Sequence, residues 1–415
     1  MSKSTMSEGA VWLSRTTPPH IITLVMLASI PALSMNIFLP SLPGMAVYFD
    51  VEYGVMQLAI SAYLGTTAIL QLVIGPLSDR FGRRPVLLWS IAIFLLATIG
   101  CILSPNAGIF LAFRFTQAAI ASGMVLSRAV VRDMVEPWEA ASMIGYITMG
   151  MSLVPMVAPM IGGYLDQTFG WQSSFALVFA FGALGLWLVW ADLGETNQHK
   201  SASFKAQFKA YPELIRSRRF WGYALTAGFA SGAFFAFLGG APFVAIEILG
   251  LDPARMGMFF AFISIGYMFG NFLSGKLSNV VGMNRMMLSG GLVSVLGMVV
   301  ALVLFHAGYD YPISFFGSIG FVGIGNGMVL PNANAGIVSV RPHLAGSASG
   351  LGGAVMIGGG AGLSAITGTM LTLETGAFPL LYMMLGSSVL AVLTAGYVLY
   401  VANKAAELGH RGVAM

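Results

Sequence analysis

The hydrophobic pattern of the chain consists of long apolar stretches separated by short polar ones. Val86–Leu103 and Phe175–Ala191 are examples, each without a charged residue. A helix that spans a bilayer needs about 20 such residues, whereas the strands of a membrane barrel alternate polar and apolar positions. The pattern therefore predicts twelve membrane-spanning helices, at residues 20–42, 54–77, 85–104, 107–131, 140–165, 172–192, 220–246, 254–277, 285–306, 312–339, 343–371 and 376–402.

One polar interruption is much longer than the others. Glu195–Arg219 contains six basic residues and follows the sixth predicted helix, so it divides the helices six and six. This division predicts a first six-helix half at residues 1–195 and a second at residues 220–415. A basic cytoplasmic linker, residues 196–219, is expected to connect them.

An eight-residue pattern occurs once in each half. Gly75–Gly82 reads GPLSDRFG, and Gly275–Gly282 reads GKLSNVVG 200 residues later, each after the second predicted helix of its half. Shared register and location indicate a duplicated six-helix unit. Such halves are a known transporter architecture in which the substrate site lies between them, near the middle of the membrane.

Composition narrows the class of protein. Hydrophobic residues make up 57% of the 415 residues and charged residues only 9%, whereas soluble domains contain about 25% charged residues. So few charges cannot cover the surface of a soluble globule of this size. The expected fold class is an all-α membrane protein with twelve transmembrane helices in two six-helix pseudo-repeats.

Basic residues collect on one side of the predicted membrane. Eighteen of the 20 Lys and Arg residues fall on the side of the N-terminus, while Arg255 falls on the other side and Arg114 lies within a helix. Loops rich in Lys and Arg stay in the cytoplasm, so both termini are expected to be cytoplasmic. The net charge of +4 reflects this asymmetry and does not indicate nucleic-acid binding.

The residues between the second and third predicted helices, Gly75–Pro85, resemble the loop signature of the major facilitator superfamily. The resemblance implies a cytoplasmic loop that latches the inward-facing gate in one conformation. Glycines permit a tight turn, and the N-terminus of the eleventh helix, near Gly346 and Ser347, is expected to attract Asp79. A simple positive-inside anchor is the alternative. The predicted gating residues are Gly75, Asp79, Arg80, Gly82, Arg83 and Arg84.

A charged residue lies deep in the fourth predicted helix. Arg114 is about two turns from the start of that helix, where a charge costs at least about 2.5 kcal/mol unless polar groups or water stabilise it. The superfamily has an arginine and a glutamine at the spacing of Arg114 and Gln117, linked to proton coupling, although Ala118 replaces a usual glycine. We therefore expect a cavity charge here. Snorkelling of the side chain to the outer interface is the alternative.

The fifth predicted helix resembles the signature of the drug–proton antiporter branch of the superfamily. Its matching residues are Pro159, Gly162 and Gly163, whereas Val154 and Ala158 replace two glycines of the pattern. The resemblance implies a bent helix that packs closely against its neighbours. Generic packing of small residues between membrane helices is the alternative explanation.

Three further segments, Asn36–Pro43, Ser127–Asp133 and Gly170–Phe175, resemble the bicyclomycin and chloramphenicol resistance branch. Members of this branch export drugs against protons. The branch usually has an acidic residue where the first segment begins, and the asparagine found there cannot titrate. None of the sixteen acids lies in the middle of a predicted helix. Asp133 and Asp79, at helix boundaries, are therefore the best candidates for proton coupling.

Polar and aromatic side chains within the predicted helices are candidates for lining a substrate cavity. Amides and hydroxyls can bind polar groups of a substrate, and an aromatic ring can stack on it. Ordinary hydrogen bonding between helices is the alternative for the polar residues, and contact with lipid is the alternative for the phenylalanine. The candidates are Asn36, Tyr63, Gln117, Phe234, Asn271, Asn326 and Asn332.

The resemblance implies proton-coupled export of small amphipathic compounds such as phenicols or bicyclomycin. The alternative is a metabolite or nutrient carrier of the same fold, acting as an uncoupled facilitator because Asn36 replaces the usual acid. The sequence contains no metal-spaced His/Cys set and no Walker-type phosphate loop, so no enzyme activity, metal or cofactor is expected. The expected partners are a small-molecule substrate, protons and the lipid of a bacterial inner membrane, with a monomer as the functional unit.

Overall fold

The structure, a computed structural model, describes residues 12–17, 19–134, 137–197, 211–341 and 344–413. Eleven helices in this part of the chain are long and apolar enough to cross a membrane, and the 33-residue helix Pro137–Phe169 is the twelfth. They are α1 (Ile21–Tyr48), α2 (Tyr53–Phe81), α3 (Arg83–Ile102), α4 (Ala107–Met134), α5 (Pro137–Phe169), α6 (Gln172–Asp192), α7 (Arg218–Ile248), α8 (Pro253–Val281), α9 (Met283–His306), α10 (Pro312–Ser339), α11 (Ala345–Met370) and α12 (Phe378–Val413).

These helices confirm the predicted fold class of twelve transmembrane helices in two six-helix repeats. The predicted end of α2 is wrong by one turn. The segment expected to be a loop after residue 77 is instead the last turn of α2, which continues to Phe81. The helical hydrogen bonds persist to its end, where the Gly82 N–H donates to the Ser78 carbonyl oxygen at 2.9 Å. Only Gly82 lies outside a helix, so Gly75, Asp79 and the arginines of the signature are held on rigid helix ends.

The predicted repeat is visible in the backbone of two turns. Gly82 has φ +105° and Gly282 has φ +90°, a region that side chains disfavour and glycine tolerates. The Gly282 N–H donates to the Ser278 carbonyl oxygen at 3.0 Å, as Gly82 does to Ser78. The same turn therefore joins α2 to α3 and α8 to α9. The linker boundaries at 196 and 219 stay a prediction, because residues 198–210 lie outside the described part.

The two halves meet along two helix pairs. α2 packs antiparallel on α11, and α5 contacts α8 mainly at Pro253–Phe259, the first two turns of that helix. We call the end of the bundle with the turns at Gly82 and Gly282 the arginine face, and the end with Asp50 and Asp252 the opposite face. Because α5 contacts little of α8 beyond its first two turns, the helices of this pair separate toward the arginine face.

Hydrogen bonds between the halves lie at the opposite face. The Tyr53 hydroxyl on α2 donates to the Gly239 carbonyl oxygen on α7 at 2.6 Å. Gln57 Nε2, one turn further along α2, donates to the Ser364 carbonyl oxygen on α11 at 2.7 Å. At the end of α5, Gln167 Nε2 donates to Asp252 Oδ1 at 2.8 Å. These bonds hold the opposite face closed in this conformation.

Several helices are irregular close to predicted site residues. α1 leaves the α-helical geometry after Asn36 and resumes it at Leu42. α4 contains a 3₁₀ turn at Gln117–Ile120, and α7 ends in a π-helical turn at Val244–Ile248. Such departures often mark hinges or functional sites. Two of the three adjoin residues that the sequence predicts to line the cavity.

Candidate functional site

Arg114 lies two turns into α4, and its side chain is fully buried. Its Nε donates to the carbonyl oxygen of Ala59 at 3.1 Å. One terminal nitrogen donates to Ser34 Oγ at 2.8 Å and to Gln117 Oε1 at 2.7 Å, and the other donates to the Ser34 carbonyl oxygen at 2.9 Å. Because these partners come from α1, α2 and α4, the guanidinium joins three helices of the first half.

Two aromatic rings enclose the same guanidinium. Its central carbon lies 4.5 Å from the centre of the Phe38 ring and 4.2 Å from that of the Tyr63 ring. Gln117 Nε2 in turn donates to Thr98 Oγ1 on α3 at 2.7 Å. No acid among the described residues forms an ion pair with Arg114, so neutral dipoles and ring faces stabilise its charge. The side chain points into the first half and not toward the membrane surface.

Several buried polar atoms of the first half have no hydrogen-bond partner among the described residues. Asn36 Nδ2 donates to the Ala32 carbonyl oxygen at 2.7 Å, but its Oδ1 accepts no hydrogen bond. The hydroxyls of Tyr63 and Thr67, one turn apart on α2, and that of Ser122 on α4 are also without partners. Each such group costs about 1–3 kcal/mol when buried. Each of these four groups can bond to water or to a polar ligand.

Two predicted cavity residues of the second half bond to neighbouring helix positions. Asn332 Nδ2 on α10 donates to Ser274 Oγ on α8 and to the Met328 carbonyl oxygen, both at 2.8 Å. Asn271 Nδ2 on α8 donates to the Tyr267 carbonyl oxygen at 2.8 Å. These contacts are those expected of hydrogen bonds within and between helices. A role of either asparagine in substrate binding stays a prediction.

The other two cavity candidates of the second half are Asn326 and Phe234. Asn326 is buried on α10 and Phe234 is half-buried on α7. The structure therefore brings Tyr63 and Gln117 into contact with Arg114, whereas the second-half candidates occupy α7, α8 and α10. The sequence pattern alone does not reveal this separation, because it does not fix the rotation of each helix.

Two of the six predicted gating residues, Asp79 and Arg83, form an ion-pair cluster with Asp133 at the arginine face. Arg83 pairs with Asp79 at 2.6 Å and with Asp133 at 2.9 Å, so it joins the ends of α2, α3 and α4. The Arg80 guanidinium lies 5.4 Å from the centre of the Phe81 ring. Because Asp79 pairs with Arg83 of its own half, the expected attraction to the N-terminus of α11 stays a prediction.

Two residues after α6 also contact this cluster. The Glu195 carboxylate accepts the backbone N–H groups of Arg83 and Arg84 at 2.9 and 3.3 Å, and so caps the start of α3. Asn197 Nδ2 donates to the Asp79 carbonyl oxygen at 3.0 Å at the end of α2. These residues satisfy free groups at two helix ends. Neither residue has a local signal in the sequence, because each caps a helix more than 100 positions away.

Asp192, at the end of α6, is the one fully buried carboxylate in the part of the chain that the structure describes. Its Oδ1 accepts the Leu13 N–H at 2.8 Å. Its Oδ2 accepts the His20 N–H at 2.8 Å and the Thr23 hydroxyl at 2.6 Å. The carboxylate therefore fixes the segment before α1, and the N-terminal end of that helix favours its negative charge.

The predicted antiporter residues on α5 lie where backbones approach closely. A Cβ added at Gly162 meets the carbonyl oxygen of Ile37 on α1, and one added at Gly163 meets that of Pro253 on α8. Pro159 makes the reciprocal contact, since its carbonyl oxygen occupies the place of a Cβ at Gly257. Adjacent glycines thus serve two different interfaces. Gly162 faces its own half, and Gly163 faces the second half at the opposite face.

Known proteins resemble this chain in sequence and in fold. Residues 24–365 match the family model described as Major Facilitator Superfamily. The chain is 29% identical to the Bicyclomycin resistance protein homolog of Haemophilus influenzae, over 90% of this chain and 94% of that protein. It is 29% identical to the Chloramphenicol resistance protein of Pseudomonas aeruginosa, over 76% and 75% of the two chains. A crystal structure of the D-xylose-proton symporter shares its fold, with a TM-score of 0.74 at 14% identity, over 91% and 96% of the chains.

Proposed function

The chain belongs to the Major Facilitator Superfamily, whose members are membrane transporters, and we propose that it exports small amphipathic compounds such as phenicols in exchange for protons. Its similarity to proteins named for bicyclomycin and chloramphenicol resistance supports this substrate class. Those relatives are bacterial, which supports a place in a bacterial inner membrane. The basic residues of the arginine face support a cytoplasmic position for that face.

The observation that carries the proposal is the group of unpartnered polar atoms in the membrane interior of the first half. Asn36 Oδ1 and the Tyr63 hydroxyl are buried without partners, and the Tyr63 ring lies against the guanidinium of Arg114. A compound with an aromatic body and a few polar groups matches such a surface, because it can satisfy those atoms while its rings stack. Sites of this kind are mostly apolar with a few placed polar groups.

The contacts between the halves support transport by alternating access. In this conformation the opposite face is closed by hydrogen bonds such as Tyr53 to Gly239 and Gln167 to Asp252. Opening that face requires these bonds to break while the halves approach at the arginine face. Rocking of two repeats around a central site is the general scheme for such folds.

We place proton exchange at Asp79 and Asp133. Both carboxylates pair with Arg83 at the arginine face, so a proton on either removes its attraction and loosens the joined ends of α2, α3 and α4. An uncoupled carrier of a metabolite or nutrient is the second candidate function. It is favoured by Asn36, which cannot titrate at the place where the resistance branch usually has an acid.

A flux measurement in proteoliposomes tests coupling directly. With an imposed pH gradient, radiolabelled chloramphenicol is expected to move against the proton flow, and a pH-sensitive dye in the lumen should report the counter-flux of protons. A gradient of potassium without a pH difference is the control. Flux of the phenicol that ignores the pH gradient would exclude antiport and favour the uncoupled carrier.

Replacing Asn36 by aspartate introduces a titrating group at the position of one of the unpartnered polar atoms. We expect transport by Asn36→Asp to depend more steeply on pH, because the new carboxylate binds and releases a proton in a poorly solvated place. The measurement is the initial rate of phenicol flux between pH 5.5 and 8.5. Asn334→Asp, at an exposed position of α10, is the matched control. An unaltered pH profile of the Asn36 variant contradicts a position in the substrate path.

A further inference from the structure

A groove lies between α11 and α12 at the end of the bundle that carries the opposite face. It is a cavity of about 600 Å³, lined by the last two turns of α11, the turn that follows and the first half of α12. Both helices pack along α7 but make little contact with each other, so α7 forms the floor of the groove. Ser387 Oγ donates to the Phe229 carbonyl oxygen on α7 at 2.6 Å, and a Cβ added at Gly232 on α7 meets Leu363 and Ser387.

The groove is apolar and opens away from the bundle. Among the residues that the structure describes, no charged side chain lines it, and its hydroxyl groups are those of Thr375, Tyr382 and Ser387. Three lining side chains, those of Met370, Tyr382 and Leu390, are exposed. Because α11 and α12 are long and apolar enough to span the membrane, these exposed side chains face the lipid that surrounds the bundle.

The dimensions of the groove select its occupant. Its lining on α12 runs from Phe378 to Leu390, which is about 18 Å of helix, and the hydrocarbon of one leaflet is about 15 Å thick. A hydrocarbon chain is about 4 Å across, the contact distance of its carbons, so 18 Å of chain fills about 230 Å³. A helix is at least about 10 Å across and fills about 1,400 Å³ over that length. The groove therefore accepts one or two acyl chains but not a helix of a second molecule.

The end of the groove at the opposite face carries polar groups. The Thr375 hydroxyl, in the turn between the helices, donates to the Met370 carbonyl oxygen at 2.9 Å. The Tyr382 hydroxyl lies 3.3 Å from His306 Nε2 at the end of α9, and tyrosine is enriched where a membrane meets water. Polar groups at the membrane surface with apolar groups below them match the order of headgroup and chains in a phospholipid.

We propose that the groove between α11 and α12 binds the acyl chains of one phospholipid from the leaflet next to the opposite face, with its headgroup near Thr375 and Tyr382. Burial of the chains against the apolar lining provides the affinity, since each buried methylene group contributes favourably. Because the lining is uncharged, the chains are recognised more strongly than the headgroup. Binding of a lipid here does not depend on which compound is transported.

A lipid in this groove also acts on the contact between the halves. Leu363 lines the groove, and the carbonyl oxygen of the next residue, Ser364, accepts Gln57 Nε2 of α2 at 2.7 Å. One turn later, a Cβ added at Gly368 meets the amide of Gln57. The same two turns of α11 therefore contact the groove and the first half. Acyl chains that support α11 in this position stabilise the closed opposite face, since a ligand favours the conformation that it binds better.

A phosphatidylethanolamine with a diazirine in its acyl chain tests the proposal. The full chain in a neutral detergent is mixed with an equimolar amount of this probe and irradiated, and the labelled residues are identified by mass spectrometry. Labelling of Leu363, Met370 and Leu390 is expected to exceed that of Leu96 and Leu296, exposed residues of α3 and α9 outside the groove. The expected excess is at least about tenfold, which two additional buried methylene groups supply. Similar labelling of all five residues indicates ordinary boundary lipid and overturns the proposal.

Two substitutions on α12 separate filling of the groove from a general change in the helix. Gly386 lines the groove, and a Cβ added there meets nothing within 4 Å, so Gly386→Phe occupies the groove without a backbone clash. Labelling of Leu363 and Met370 is expected to fall at least about tenfold. Gly396→Phe, at an equally open position further along α12, should keep the native labelling. Native labelling of the Gly386→Phe variant contradicts the lipid site.

Thermal unfolding provides a second readout, because a ligand that binds the folded state stabilises it. Dipalmitoyl phosphatidylethanolamine is expected to raise the unfolding temperature of the native chain and of Gly396→Phe, but not that of Gly386→Phe. The dioctanoyl form, whose shorter chains leave part of the groove empty, should raise the native value less. This comparison of two lipids needs no variant. Equal shifts by the two lipids overturn the assignment to acyl chains.

Other occupants of the groove give different results. Excess chloramphenicol is expected not to reduce the labelling of Leu363, and full displacement overturns the proposal by assigning the groove to the transported compound. A disulfide between two Gly386→Cys chains in vesicles assigns the groove to a second copy and overturns it as well. Because none of these measurements uses a pH gradient, failure of the lipid site and failure of the proposed antiport are separate results.

Discussion

Arg114→Met is expected to abolish transport and to lower the thermal stability of the protein. The native guanidinium satisfies the Ala59 and Ser34 carbonyl oxygens, the Ser34 hydroxyl and Gln117 Oε1. Methionine removes all four of these hydrogen bonds. A hydrogen bond to a charged group contributes about 1.5–3 kcal/mol, so the sum approaches the whole stability of many proteins.

Arg114→Lys distinguishes the charge from its geometry. An ammonium group keeps the positive charge, but it lacks the planar fork that reaches α1, α2 and α4 together. We therefore expect the lysine variant to fold better than the methionine variant and to transport at least about tenfold more slowly than the native chain.

The measurements for both variants are the unfolding temperature in detergent and the initial rate of phenicol flux. Arg285→Met, at an exposed position near the turn at Gly282, is the matched control and should change the unfolding temperature little. An Arg114→Met variant with native stability and native flux contradicts the description of this residue as the hydrogen-bonded centre of three helices.

Gly163→Ala is expected to hold the opposite face open. The added methyl group meets the carbonyl oxygen of Pro253 on α8, so α5 and α8 cannot approach as they do in this conformation. Overpacking of this kind costs about 1–3 kcal/mol, which shifts a two-state equilibrium about five- to 150-fold. Flux should fall accordingly, while the fold of each half remains.

Three other glycines of the chain provide matched controls for this prediction. Gly257→Ala places a methyl group against Pro159 from the other side of the same contact, so it should reproduce the effect of Gly163→Ala. Gly162→Ala instead meets Ile37 within the first half and should lower the unfolding temperature. Gly65→Ala projects into open space and should leave both properties close to native.

Accessibility of a cysteine at the opposite face reports the effect. A cysteine introduced at Tyr53, whose hydroxyl bonds to Gly239 across the halves, should react faster with a water-soluble maleimide when Gly163 or Gly257 is alanine. An equal reaction rate in the native and alanine backgrounds contradicts the closing role of this contact.

The fold could be predicted from the sequence, because it depends on features that extend over many residues. Apolar stretches long enough to span a membrane, and the recurrence of Gly75–Gly82 at Gly275–Gly282, predict twelve helices and their duplication without any knowledge of packing. Helix ends were less predictable. α2 continues to Phe81 because Gly82 is the first position where the backbone takes a positive φ, and hydropathy does not register that change.

The candidate site could be predicted from the sequence only in part. The depth of Arg114 in an apolar helix predicts that polar groups must surround it, and Gln117 is found among them. The backbone carbonyl oxygens of Ser34 and Ala59 carry no sequence signal, because every residue has one. Glu195 and Asp192 resemble ordinary helix-end acids in the sequence, and only tertiary contacts show that they cap α3 and fix the start of α1.

Alternating access requires one face of the bundle to open as the other closes. Pairs of spin labels measure this movement most directly. One pair, at Val47 and Leu373, reports the separation of the halves at the opposite face. The other pair, at Phe81 and Val280, reports it at the arginine face. All four side chains are exposed, and the buried Cys101 is replaced by serine to leave the labels as the reactive sites.

Distances from double electron–electron resonance are recorded in nanodiscs at pH 5.5 and 8.5, with and without chloramphenicol. We expect the two distance distributions to change in opposite directions, with the Val47–Leu373 distance lengthening as the Phe81–Val280 distance shortens. Gly163→Ala should favour the longer distance at the opposite face under every condition. Distances at both faces that stay constant, or that lengthen together, contradict transport by alternating access of these two halves.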